Sequence, residues 1–168
     1  MFSLRKEFST VFFVASILSA QFGELPPIKF DLTNGERIKF EDLSKKELVL
    51  IDYWALWCAP CLNKMSHLDR FQKEFASKGL KIISVNIDSE RSISKVKSYI
   101  RSKGYSMLIA FDSSKENFRL VNGISIPYTI LVNTEGKILY RHSGYVPGDE
   151  DILRKKIEIA LNIPSGNS

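Results

Sequence analysis

The chain holds two cysteines, both within Trp57-Cys58-Ala59-Pro60-Cys61, so each has only the other thiol to pair with. Ahead of them lies the apolar run Leu48-Val49-Leu50-Ile51-Asp52-Tyr53-Trp54, and behind them apolar residues recur at helical spacing. A cysteine on a strand-to-helix turn faces unpaired helix N–H groups and the positive end of the helix dipole. Both stabilise a thiolate. The spacing therefore points to thiol redox chemistry.

The roles follow from position along the helix. Cys58 is expected at or next to the N-cap, with Pro60 in the first turn, where its missing N–H is harmless. Cys61 lies one turn further in and is expected to be more buried. As a thiolate, Cys58 attacks a disulfide in a partner. Cys61 then attacks the mixed disulfide, releasing the reduced partner and leaving a Cys58–Cys61 disulfide. Two blander readings compete. A structural bridge closing so short a loop would constrain little of the unfolded chain. Zinc needs about four ligands, and His67 and His142 are the only histidines. His67 falls about half a turn round the helix axis from Cys58 and cannot join that sulfur. No metal site is expected on this count, although a dithiol module holding copper remains a separate alternative.

The rest of the chain must position this pair. Its 168 residues fit one domain, with 44% apolar and 26% charged residues, as in ordinary globular proteins. The net charge of +5 is spread along the chain. No basic stripe with interleaved aromatics appears, which argues against nucleic acid as a partner. Residues 1–20 differ in kind. Arg5 and Lys6 precede Val11-Phe12-Phe13-Val14-Ala15-Ser16-Ile17-Leu18, then Ser19-Ala20-Gln21. That is the pattern of a signal peptide cut after Ala20, or of a membrane tether through residues 8–22 if it stays uncut. Export follows either way, to the bacterial periplasm or the outer face of the cytoplasmic membrane. The globular domain is expected over residues 26–163.

Within it, Ile28–Leu32 and Arg37–Phe40 alternate apolar and polar residues around Asn34-Gly35, a β-hairpin signal. Leu48–Trp54 reads as a central buried strand. Leu62, Met65, Leu68, Phe71, Phe75 and Ala76 mark one face of a helix from Ala59 to about Ser77, stopped by Lys78-Gly79. A strand over 81–87, a helix ending at Lys103-Gly104, a strand over 107–111 and a short helix near 116–121 follow. A strand over 124–132, a returning strand over 137–140 and a helix from about 150 to 161 complete the chain. This order predicts an α/β fold with a mixed central sheet flanked by helices.

At these residues the resemblance can be named. Leu50 to Cys61 resembles the active-site segment of thioredoxins. The leader and the inserted strand-helix element around residues 88–111 resemble the TlpA/ResA-like exported thiol-disulfide oxidoreductases of the same superfamily. A second, distant segment agrees: Gly123-Ile124-Ser125-Ile126-Pro127-Tyr128-Thr129. The resemblance implies a thioredoxin-like fold, a cis peptide bond at Pro127 beside the disulfide, and an Ile126 backbone that pairs with the substrate chain as an added strand. It further implies that Trp57 covers the disulfide edge and that Trp57, Pro60, Ile126 and Pro127 form the substrate-binding surface.

Asp52 is the third catalytic candidate. A carboxylate in an apolar strand is costly unless paired or protonated. In thioredoxins the matching residue exchanges a proton with the second cysteine, here Cys61, and a lysine on the neighbouring strand lies close to it. That strand position here is Ser84, so Asp52 is expected to lack a cation and to stay protonated to a higher pH. Two further departures lie beyond Cys61: Lys64 replaces a family acidic residue, and Ser66 replaces a proline that bends the helix. Lys64 either adds positive potential near the sulfurs or is a solvated face residue. Asn86 and Asp88 at a strand end are left unassigned, and His142 is expected at the surface.

The Ala-Pro dipeptide between the cysteines is chemically near the Gly-Pro of thioredoxin and lacks the histidine of strongly oxidising relatives. The couple is therefore expected nearer thioredoxin's roughly −270 mV than about −120 mV. The disulfide itself is the redox group, and no added cofactor is expected. By resemblance the partners are exported protein disulfides, including those of apocytochrome c in cytochrome c maturation, and a membrane electron donor that re-reduces the protein. A monomer is expected. The alternative enzyme is a thiol peroxidase of peroxiredoxin type, but Ala55 stands where that chemistry uses a threonine.

Overall fold

The computed structural model describes residues 23–163. The leader expected over residues 1–20, and the tether through 8–22, lie outside the described residues. No helix among the described residues is long and apolar enough to cross a membrane.

A seven-stranded sheet organises the fold, in the order β2-β1-β5-β4-β3-β6-β7. Its strands are β1 (Lys29–Leu32), β2 (Arg37–Lys39), β3 (Leu48–Trp54), β4 (Leu80–Asn86), β5 (Leu108–Phe111), β6 (Tyr128–Val132) and β7 (Ile138–Ser143). The helices are α1 (Phe40–Ser44), α2 (Ala59–Phe75), α3 (Ile93–Lys103), α4 (Glu116–Leu120) and α5 (Asp149–Ala160). β3 runs parallel to β4 and antiparallel to β6, and β4 runs parallel to β5, so the sheet is mixed as expected.

The apolar runs explain which strands are central. All of β3 and β6 is buried, including Val49, Leu50, Ile51, Ile130 and Leu131, as strands covered on both faces require. Alternation then assigns the helices to faces. Tyr53 packs its ring against Phe118 of α4 at 5.2 Å, whereas its neighbour Trp54 packs against Tyr99 of α3 at 5.9 Å. Asp52, on the same face as Trp54, meets α2 through Lys64. The helix carrying the cysteines and α3 thus cover one face, and α4 covers the other.

Helix ends follow the local chemistry. Gly79 and Gly104 adopt left-handed φ of 96° and 63° at the stops after α2 and α3, a conformation glycine takes without a Cβ penalty. The strand and helix inserted after β4 are α3 and β5, and β5 joins the sheet beside β4.

Two local expectations are corrected. Phe40 does not extend the hairpin but opens α1, whose first turn carries Glu41 and Asp42, placing negative charge at the helix's positive end. β6 begins at Tyr128 rather than Ile124. Pro127 has no N–H to donate to a ladder, and residues 124–127 form a loop instead.

Candidate active site

β3, an inner strand of the sheet, ends at Trp54, and the turn after it is held at several points. The Cys58 N–H donates to the Ala55 carbonyl at 3.1 Å, and the Ile87 N–H donates to the Trp54 carbonyl at 2.9 Å. The Asp88 carboxylate accepts the Leu56 N–H at 2.8 Å and is itself held by the Asn86 side-chain amide at 2.8 Å. Asn86 and Asp88, unassigned from sequence, therefore brace the turn that presents the cysteines.

Cys58 is the N-cap of α2, and its Sγ accepts the Cys61 N–H at 3.3 Å. Pro60 occupies the first turn, exposed. The two sulfurs are bonded to each other. Cys58 retains 6% of its surface and Cys61 none, so of the two residues only the first offers any surface to a partner. Trp57, the residue before Cys58, is 69% exposed. Tyr53 and Trp54 are fully buried core residues.

The loop before β6 lies at the same end of the sheet as the cysteine turn, since Tyr128 pairs with Tyr53 of β3. The Ile126–Pro127 bond is cis, Pro127 is buried and Ile126 half-buried, while Ile124 is 93% exposed. Gly123 starts this loop in close contact with the Phe118 ring, where a Cβ would overlap the aromatic atoms. Tyr128 secures its far end by donating its hydroxyl to the Val121 carbonyl at 3.1 Å.

Beneath the disulfide lies a polar cluster. Asp52 pairs across the sheet with Ser84 on one side and Thr129 on the other, so the neighbouring-strand position beside it holds Ser84, as expected, and not a lysine. Asp52 nevertheless does not lack a cation. Lys64, one turn beyond Cys61 on the buried face of α2, places Nζ 2.8 Å from Asp52 Oδ1 and donates to Thr129 Oγ1. The Thr129 hydroxyl donates to the same Asp52 oxygen at 2.8 Å. Lys64 is thus neither solvated nor a mere source of potential. A buried lysine and a buried aspartate satisfy each other because either alone would carry a large desolvation cost.

The cluster left a trace in the sequence. Thr129 interrupts an apolar strand, and Lys64 falls on the face defined by Cys61, Met65 and Leu68. Ser66 is exposed and donates to the Asn63 carbonyl at 2.9 Å, and α2 runs unbroken from Ala59 to Phe75 without the missing proline. His67 faces away from the sulfurs, near Tyr145 and Glu150. His142 lies on β7, partly exposed, with Nε2 3.2 Å from Asp149 Oδ2.

Comparison with known proteins places this arrangement. Residues 21–157 match the Redoxin family. The thiol-disulfide oxidoreductase ResA of Bacillus subtilis is 30% identical over 116 residues, covering 69% of this chain and 63% of ResA. The chain thus spans less than two thirds of that relative's length. The thioredoxin-like protein YneN of the same organism is 28% identical over 81% of this chain and 78% of its own. Among solved structures, a putative thiol:disulfide interchange protein DsbE from Chlorobium tepidum superposes with a TM-score of 0.77 at 26% identity. That match covers 83% of this chain and 96% of the other. The chain belongs to the Redoxin family, as a TlpA/ResA-like member of the thioredoxin superfamily.

Proposed function

We propose that this protein is an exported thiol-disulfide oxidoreductase that works as a reductase of protein disulfides. The observation that carries the reading is the asymmetry of the pair: Cys58 caps α2 and keeps 6% of its surface, and Cys61, one turn further in, keeps none. In the dithiol form the Cys58 thiolate attacks one sulfur of a partner's disulfide. A Cys58–partner bond forms and the partner's other sulfur leaves as a thiolate. Cys61, deprotonated with help from Asp52, then attacks Cys58. The Cys58–Cys61 bond forms, the partner leaves as a dithiol, and two electrons have passed to it.

Trp57, Pro60 and the loop at Ile126-Pro127 make the docking lips, with the Ile126 backbone taking the partner chain as an added strand. The reducing direction rests on the Ala-Pro dipeptide and the absence of a histidine between the cysteines. Export rests on the leader residues, and the partners proposed on the family likeness are apocytochrome c disulfides and a membrane electron donor.

Insulin-disulfide reduction with dithiothreitol as donor tests the activity. The parent should reduce insulin, Cys58→Ser should not, and Cys61→Ala should accumulate the mixed disulfide. Equal activity of Cys58→Ser and parent would overturn the reading. Equilibration in glutathione buffers tests the direction, and a potential above about −180 mV would make the protein an oxidant or isomerase instead.

A further inference from the structure

β7 ends at Ser143, which pairs with Tyr128, and Tyr128 pairs in turn with Tyr53 near the end of β3. The turn that follows, residues 144–148, therefore lies at the same end of the sheet as the cysteines. Its first residue is tied to the loop before β6, since the Gly144 N–H donates to the Pro127 carbonyl at 2.8 Å. Val146, in the middle of the turn, is 63% exposed. It joins Trp57 after β3 and Ile124 before β6 among the large apolar side chains left exposed at this end.

What fixes the turn is polar. Neither Tyr145 nor Val146 is among the apolar side chains packed on the core. The Tyr145 hydroxyl donates to Glu150 Oε2 of α5 at 3.0 Å and lies 3.4 Å from Nε2 of His67 on α2. His67 Nδ1 in turn lies 2.6 Å from Arg70 Nη2. A guanidinium only donates, so Nδ1 accepts there and the network puts the ring proton on Nε2, facing the Tyr145 oxygen. The bonds thus run one way, from Arg70 through His67 and Tyr145 to Glu150, and join the cysteine-bearing helix to the turn. Burial and the bond to Glu150 push the Tyr145 hydroxyl up to about 12, so it keeps the proton that it donates.

We propose that Tyr145 is a positioning residue for partner docking: its hydroxyl pins the 144–148 turn to α2 and α5 and so sets Val146 to meet an extended, disulfide-bearing polypeptide. The role rests on the proposed docking at Ile126-Pro127. Without the hydroxyl the turn keeps the Gly144 bond at one end. At the other it keeps those from the Val146 and Gly148 N–H groups to the carboxylates of Asp149 and Glu150. Among the described residues, none of these reaches α2. A turn so loosened must be ordered again each time a partner docks, which costs binding free energy. The loss falls on docking and not on bond exchange at Cys58.

Steady-state reduction of insulin, with dithiothreitol as donor, tests the proposal. Tyr145→Phe should raise KM by about threefold or more while kcat stays within about twofold of the parent. Val146→Ser should raise KM as well, and the double variant should lose less than the two single losses combined. Turnover of a small aromatic disulfide should be unchanged in all three. Arg154→Ala controls for a general loosening of α5, because Arg154 holds that helix to α2 through Glu74 at 2.6 Å and the Phe71 and Phe75 rings. Its denaturation midpoint should fall while its KM for insulin holds. An unchanged KM in Tyr145→Phe or Val146→Ser, fully additive losses, or an equal rise in Arg154→Ala would overturn the role. Should Tyr145→Phe fail to fold, His67→Leu removes the same tie from the α2 side and carries the same expectations. A parent that leaves insulin unreduced would instead overturn the proposed function, a result distinct from unchanged KM values in active variants.

Discussion

The Asp88 carboxylate accepts the backbone N–H of Leu56 at 2.8 Å across 32 residues of chain. The bond joins the exit of β4 to the turn before Cys58. The Asn86 amide shares the same Asp88 oxygen, so one carboxylate oxygen holds two donors from two segments. Asp88→Ala would leave the Leu56 N–H and the Asn86 amide without their acceptor. Stability should fall by about 1–3 kcal/mol, read as a lower denaturation midpoint. Activity at saturating insulin should fall beyond what the folded fraction explains, because the turn that aims Cys58 has lost its brace. Asp88→Asn, which keeps an acceptor oxygen, should lose less on both counts. Activity per folded molecule equal to the parent would show that the turn holds itself.

Gly123 gives a second test, at the start of the loop before β6. A Cβ there would overlap the Phe118 ring, and Phe118 is wedged between Tyr53 at 5.2 Å and Tyr128 at 5.9 Å. The ring has little room to retreat, so Gly123→Ala must push either α4 or the 124–127 loop. Overpacking of this kind costs about 1–3 kcal/mol. The denaturation midpoint should fall accordingly, and Phe118→Leu in the same chain should restore part of the loss by vacating the ring's volume. A midpoint unchanged by Gly123→Ala would mean that the loop shifts without cost.

Trp57 and Ile124 should separate docking from stability. Both are large, apolar and mostly exposed, so truncating them removes little packing from the fold. If they cover a partner's backbone, each withdraws apolar area from water only in the complex, at about 25 cal/mol per Å². Trp57→Ala and Ile124→Ser should therefore lower kcat/KM several-fold for a protein disulfide, chiefly through KM. Turnover of a small aromatic disulfide should change less, and the denaturation midpoint should hold. Equal losses on both substrates would point to a change at the sulfurs rather than at the docking surface.

These predictions also mark where the sequence spoke clearly. The continuous apolar run at Leu48–Trp54 and the spacing of Met65, Leu68, Phe71 and Phe75 specified β3 and α2, because burial dictates period more strongly than any other constraint. The cysteine spacing specified the N-cap for the same reason. The polar cluster was harder to read. Asp52 meets Lys64 and Thr129 across 12 and 77 residues of chain, and nothing local says which lysine will reach a buried carboxylate. Assigning the cation by strand position led to Ser84, whereas the fold supplies it from the helix. α1 escaped notice because a five-residue helix carries too few turns to show a period, and Phe40 fits a strand pattern equally well.

Acid stability supplies the last test. Asp69, on α2, accepts the Ser106 N–H at 2.6 Å and the Ser106 hydroxyl at 2.7 Å, and pairs with Lys73 at 2.6 Å. It ties the cysteine-bearing helix to the segment entering β5. Burial opposes its ionisation, but the bonds from Lys73 and Ser106 outweigh it and hold the carboxyl below its ordinary range. An acid whose folded value is depressed contributes stability that is present above its unfolded value, about pH 4. That contribution is lost as pH falls through the folded value. Asp69→Asn should therefore be less stable than the parent at neutral pH, by about 1–3 kcal/mol. The gap should narrow as the solution is acidified below about pH 4. Urea midpoints of both proteins at neutral and acidic pH check this. A gap that stays constant would show that Asp69 contributes shape and hydrogen bonds but no charge.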